Sequence, residues 1–280
     1  MINKNLLKLI SSIITNIEDM SIVENILLPN IRNIINCYIN SYPKNKNPYI
    51  FKLLKKLISI IGNSENEINF LQSVWENLCL SSINYVRKTL MNDYKFEQYL
   101  FDLIYSLIDI KFEIYMKIQQ YQINEHMISM ILESIKINDP NISHKAYEIM
   151  KILLKNIKEK KNIDSKNIIT PFLKQYYLII LSTIVSNLIE SDYSFGFKEK
   201  IEIFQILIHI IQDNNVEERI FQIEGNNKEL IAQSILDEIS KKKNNINKKQ
   251  IIKYCQQLFN NSHDNHLFKT ILRDLLISVK

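Results

Sequence analysis

Residues 145–158, KAYEIMKILLKNIK, decide the fold. Ala146, Ile149, Met150, Leu153, Leu154 and Ile157 recur at steps of three and four, which sets them on one stripe of a helix. Lys145, Glu148, Lys151, Lys155 and Lys158 take the other side. A helix divided in this way cannot hide its stripe alone and must dock on a neighbour. The same pattern returns along the whole chain, helix after helix, across short polar links. Only three glycines (Gly62, Gly196, Gly225) and five prolines punctuate 280 residues, and no stretch alternates as a strand would. A long series of such helices is the signature of a solenoid. The expectation is an all-α fold, an α–α superhelix of antiparallel helix pairs of the HEAT-repeat kind. Solenoids work mainly through extended binding surfaces, so an active site is not the first thing to seek.

Composition narrows the classes further. A hydrophobic content of 46% and a charged content of 23% are those of a folded chain, which argues against disorder. The net charge of +5, with a pI near 8.8, comes from lysines spread along the helices. Nucleic-acid binding calls for Lys and Arg gathered on one face, so no direct nucleic-acid partner is expected. Cys37, Cys79 and Cys255 are odd in number, far apart and set inside helical patterns. They read as small buried residues in a reducing compartment. Lys8 interrupts the first apolar run, and no small-residue cleavage site follows. The longest apolar segment, residues 176–189, carries Ser182, Thr183, Ser186 and Asn187 and falls short of the ~20 residues a membrane span needs. A soluble intracellular protein without a membrane partner is the expectation.

Capping signals set the helix ends. Ser21 with Glu24, and Ser64 with Glu67, have capping-box spacing. Asp139-Pro140 and Thr170-Pro171 each put a capping residue before a proline suited to the first helical position. Gly62 after Ile61 suits a left-handed helix stop. These marks pair 22–40 with 49–61, 67–90 with 95–110, 123–137 with 141–158, 168–190 with 197–213, and 227–242 with 248–260. A last helix covers 266–279. Pairs begin roughly 45 to 60 residues apart, at or somewhat above the ~40–47 residues of HEAT and armadillo repeats. The tetratricopeptide and ankyrin periods are shorter and their signatures are absent. Pro29, inside the first helix of the first pair, should restart that helix at about Leu28. Residues 1–280 are therefore read as a single array. It opens on an unpartnered helix, a half-repeat at 1–18, as a piece of a longer chain would.

Several stretches resemble the carboxy-terminal region of the exportin-1 family, the nuclear export receptors of the importin-beta (karyopherin) superfamily. Leu6-Leu7-Lys8-Leu9-Ile10-Ser11 is similar to one helix of that family, and Glu24-Asn25 followed by Leu28-Pro29 is similar to the next. Residues 38–62 keep the family's order of long helix, proline-containing link and shorter helix. Near the end, Phe268-Lys269-Thr270-Ile271-Leu272-Arg273-Asp274-Leu275-Leu276 resembles the family's last repeat helix. The likeness runs from Leu6 onward.

The resemblance implies a ring of HEAT repeats that binds leucine-rich export cargo and Ran-GTP cooperatively in the nucleus and touches Phe-Gly nucleoporins in the pore. It implies shuttling between nucleus and cytoplasm, and curvature as the means by which one partner helps another bind. In the family the export-signal groove lies in earlier repeats, so it is not in this chain. No functional residue is carried over, and the chain alone is not expected to bind an export signal. The alternative is a generic HEAT scaffold, a subunit of some other assembly.

No constellation points to chemistry. His209 shares a polar arc with Glu202, Gln205 and Gln212, which reads as a solvated face. His126 and His144 sit near helix starts. His263 and His266 flank Asp264 at a spacing a metal could use, but no further ligand follows. No Gly-x-Ser-x-Gly elbow or Gly-rich phosphate loop exists, and Glu217-Glu218 reads as a solvated pair. Catalytic, cofactor and metal residues are therefore none, no cofactor is expected, and the protein is read as not an enzyme. Lys241-Lys242-Lys243 with Lys248-Lys249 is a solvated turn on the plainest reading, and otherwise a nuclear-import signal or a patch for an acidic partner. Trp75 and Tyr176-Tyr177 are expected to fill seams between helices. A Phe-Gly pocket between helices is expected too, at a place the residues do not mark.

Overall fold

The computed structural model describes residues 4–16, 20–41, 47–61, 65–89, 93–118, 123–137, 139–159, 169–190, 196–212, 227–243 and 246–279. Among them every regular element is helical. The chain divides into two compact units, Met1–Ile149 and Met150–Lys280.

The first unit begins with α1 (Lys4–Thr15). A long first helix follows in three parts: α2 (Met20–Ile22), a π-helical turn (Val23–Leu27) and α3 (Leu28–Ser41). Its partner is α4 (Tyr49–Ile60). The second pair is α5 (Glu65–Val74), a π-helical turn (Trp75–Cys79) and α6 (Leu80–Thr89), then α7 (Tyr94–Ile110). A short α8 (Phe112–Ile118), then α9 (Ile123–Lys136) and α10 (Pro140–Glu159) follow, and the division between the units falls within α10. The second unit continues with α11 (Thr170–Glu190), α12 (Phe197–Gln212), α13 (Asn227–Lys242), α14 (Lys248–Asn260) and α15 (Asn265–Val279). The expected pairs appear in the expected order, with ends moved by a residue or two, which is within the fraying of helix termini.

The packing is that of an all-α solenoid of helix pairs. In the first unit α4 lies against both α1 and α7, so second helices stack on second helices, while α6 lies against α9. Phe51 of α4 meets Phe96 of α7 edge-on, with centroids 4.9 Å apart, and Tyr85 of α6 meets the same ring at 5.0 Å. Each such aromatic pair adds about 0.5–1.5 kcal/mol beyond the area it buries. In the second unit α11 packs on α12, α13 and α15, and α13, α14 and α15 pack in succession. Along α10 the predicted stripe is fully realised: Ala146, Ile149, Met150, Leu153, Leu154 and Ile157 are all buried.

Local signals account for most helix ends. Asp139 Oδ1 accepts hydrogen bonds from the amides of Asn141 (2.9 Å) and Ile142 (3.2 Å), with Pro140 as the first helical residue. Asp93, Asn247 and Asp264 cap α7, α14 and α15 in the same way. Gly196 takes φ 64°, a left-handed value that suits glycine, just before α12, and its carbonyl accepts the Lys200 amide. Pro29 behaves as expected. α3 starts at Leu28 after the first π-helical turn, and Asn30 Nδ2 donates to the Ile26 carbonyl at 2.7 Å.

Some expectations need correction. The helix meant to be capped by Ser21 already begins at Met20, so Ser21 lies inside its first turn. α11 begins at Thr170, which places Pro171 second. The helix α8 was not anticipated; Phe112, Ile114, Tyr115 and Met116 bury it directly after Lys111. The apolar segment expected to be too short for a membrane belongs to α11, whose 21 residues are long and apolar enough to cross one by length and composition. More than half of its apolar window is buried inside the protein, and α12, α13 and α15 pack against it. Gly62, Ser64, Gly225 and Glu217-Glu218 lie outside the described residues.

Candidate functional site

Among the described residues a groove lies between α13 and α14, about 420 Å³ in volume. Ala232 of α13, with Ile252 and Phe259 of α14, gives it an apolar lining. Gln233, Gln256 and Asn260 form a polar rim, and Lys228 with Glu229 stands at the end where α13 begins. The cause is local. Ala232 is the smallest residue on the stripe that α13 turns toward its neighbour, so the two helices meet without filling the seam. Ile252 follows the buried Ile251 by one residue, a turn of 100° that carries it out of the core, and it stays 37% exposed. A floor of three apolar residues among five polar ones suits a partner's aromatic or aliphatic side chain flanked by polar groups.

At the other end of this hairpin lies the lysine cluster. Lys241, Lys242, Lys243, Lys248 and Lys249 are all exposed, as the plain reading of a solvated turn requires. Lys241 pairs with Glu238 of its own helix, and Lys242 pairs with Glu190 at the end of α11.

The polar arc of α12 is a correction. His209 and Gln205 are buried, not solvated. His209 Nε2 lies 2.8 Å from the carbonyl oxygen of Ser262 in the turn between α14 and α15. A carbonyl only accepts, so Nε2 carries the proton and Nδ1 accepts from Lys158 Nζ at 3.0 Å. Gln205 Nε2 donates to the same carbonyl at 2.6 Å and to Asn265 Oδ1 at 2.7 Å. Gln212 donates to the Phe259 carbonyl and accepts from the Ser262 hydroxyl. His263 stacks on His209 with centroids 4.7 Å apart. The arc is polar because it clasps a turn some fifty residues ahead, a partner no helical wheel displays. Glu202, on the same arc, pairs with Lys151 of α10.

The other singled-out residues fall into structural roles. His126 Nδ1 lies 3.3 Å from Arg87, whose guanidinium grips Glu133 of α9 at 2.8 and 3.1 Å. His144 lies beside Glu148 at 3.4 Å. Asp264, between His263 and His266, is the cap of α15, and among the described residues no group of three or more His, Cys, Asp or Glu converges on a metal position. Cys79 and Cys255 are buried; burial pushes the Cys255 thiol up to about 12 and the Cys79 thiol higher still. Cys37, expected to be buried, is exposed. Trp75 meets Tyr115 edge-on, and Tyr177 reaches across the α11–α12 seam to donate its hydroxyl to the Leu207 carbonyl at 2.9 Å. Tyr176 packs on Phe172 of its own helix.

At the amino end α1 is apolar on two faces. Leu7 and Ile14 are buried, whereas Leu6, Leu9 and Ile13 stay 45%, 59% and 45% exposed. Ile10 is half-buried, and Ile17 lies outside the described residues. Ile22 and Ile26 are exposed as well.

Two comparisons bear on these features. The family model described as CRM1 C terminal matches residues 1–280. Exportin-1 of Schizosaccharomyces pombe is 22% identical over 285 residues, which takes in 100% of this chain and 26% of that protein. The chain thus spans about a quarter of the length of that relative.

Proposed function

Because the chain belongs to the CRM1 C-terminal family, we propose that it works as the carboxy-terminal arch of a nuclear export receptor. The observation that carries the reading is the family match along every residue of a chain built from helix pairs. On this account residues 1–280 act as one HEAT array that helps to close a ring, and stability is shared out among nearest-neighbour helix contacts. The receptor binds Ran-GTP and leucine-rich-signal cargo, and it shuttles between nucleus and cytoplasm. The arch holds no export-signal groove and no catalytic group. It sets the curvature that links the two ligands and offers seams to Phe-Gly nucleoporins.

The α13–α14 groove is the seam we assign to that last task. Its lining of Ala232, Ile252 and Phe259 suits one phenylalanine, and its shallow form suits the weak, rapid contacts that passage through a pore requires. Capture of the tagged gene product from its own cells tests the reading. Ran should come with it only when locked in the GTP form, together with a Phe-Gly nucleoporin. Capture of a stable assembly containing neither would contradict the reading and favour the generic scaffold.

A further inference from the structure

We propose that the α13–α14 groove is selective: it takes an aromatic residue from a peptide that carries acidic residues on the side facing the α13–α14 turn. The inference rests on the reading that this groove receives a peptide side chain, and it adds which peptide.

Residues 241–253 hold six lysines, and no Asp or Glu occurs from Ile239 until Asp264. Three carboxylates at this end of the hairpin are already engaged. Glu238 pairs with Lys241, Glu190 with Lys242, and Asp237 Oδ1 accepts from Gln233 Nε2 at 2.7 Å. Lys248, Lys249 and Lys253 are exposed and make no ion pair with a described carboxylate. Six lysines against three carboxylates leave this end of the hairpin with a net charge of +3.

Position links the charge to the groove. At 100° per residue Lys249, Ile252, Lys253, Gln256 and Asn260 share one face of α14, with Lys248 beside Ile252 on the groove side. Three of these line the groove and three are the unpaired lysines. Lys249 precedes Gln256 by seven residues, about 10 Å of helix, which an extended peptide crosses in about three residues. A peptide seated by one aromatic ring therefore brings its third to fifth neighbour over the lysines. Cations in the first turn of α14 also oppose the helix dipole, so they do nothing for the helix itself.

The same charges could serve a nucleic acid, but the residues favour a peptide. All six cations are lysines, and no arginine lies between Arg219 and Arg273. Among the described residues of α13 and α14 no exposed aromatic stands beside them on which a base could stack: Tyr254 is half-buried and Phe259 buried.

The test uses the full chain and two labelled peptides of equal length, each with one phenylalanine. One is otherwise Gly and Ser, and the other carries three glutamates three to five residues from the ring. The acidic peptide should bind about tenfold more tightly at about 0.05 M salt and lose that preference at about 0.5 M. The triple variant Lys248→Gln, Lys249→Gln, Lys253→Gln should bind both peptides alike, and Ile252→Glu should weaken both at least fivefold. All four substitutions fall on exposed positions, where folding tolerates change. Equal binding of the two peptides to the unaltered chain would overturn the selectivity and leave the groove reading standing. Binding of neither would overturn both. A single-stranded oligonucleotide bound more tightly than the acidic peptide, and lost in the triple variant, would also overturn the proposal.

Discussion

His209 on α12 donates from Nε2 to the carbonyl oxygen of Ser262, 2.8 Å away and 53 residues further along the chain. That bond, with those of Gln205 and Gln212, fixes where the α14–α15 turn sits against α12. α14 is one wall of the groove, so the clasp also holds a wall of the site.

His209→Ala should therefore cost about 1–2 kcal/mol of stability, the range for a buried side-chain hydrogen bond. Denaturant unfolding of the full chain measures it. The polar-arc reading, with His209 in solvent, requires a change within about 0.5 kcal/mol, and such a value would contradict the clasp.

Arg87 and Glu133 join α6 to α9 through two parallel hydrogen bonds, yet their side chains are 33% and 41% exposed. Solvent screens a pair in that position, so a double-mutant cycle should return a coupling of about 0.5–1 kcal/mol that shrinks as salt rises. A salt-independent coupling of several kcal/mol would mean that the pair is desolvated, contrary to the structure.

The cysteines should separate cleanly by reactivity. Cys37 is exposed, while Cys79 and Cys255 are buried with their thiols pushed far above neutral pH. Iodoacetamide at about pH 8 attacks the thiolate, so native protein should be labelled at Cys37 alone, and all three sites only after unfolding. Mass spectrometry reads the sites. Rapid labelling of Cys255 in native protein would contradict its packing.

Leu6, Leu9 and Ile13 form an exposed apolar row on α1, and patches of this kind associate. Sedimentation should show concentration-dependent self-association of the chain, removed by Leu9→Lys with Ile13→Lys. A clean monomer at high concentration would contradict it.

The stripe of residues 145–158 made the helix class legible, because a period of three and four leaves one way to bury Ile149 and Leu153 together. Helix ends were legible wherever a side chain caps its own helix, as Asp139 does. What stayed hidden depends on distant partners. Nothing near His209 announces Ser262, so its arc resembled a wet face. Ile252 resembled any helical isoleucine, and only the placement of Ala232 opposite makes it a wall. α8 was missed because Phe112, Ile114 and Tyr115 cover too few residues to display a period. Pro29 marks the π-helical turn Val23–Leu27, whereas the turn Trp75–Cys79 has no proline or glycine to mark it.

The central claim is that the α13–α14 seam receives an aromatic side chain. Titration of a Phe-Gly repeat peptide into the full chain, followed through isoleucine methyl resonances, tests it most directly. The prediction is a saturable shift at Ile252, while the more exposed Ile179 and Ile277 stay in place. An unmoved Ile252, or shifts of the same size at all three, would contradict it.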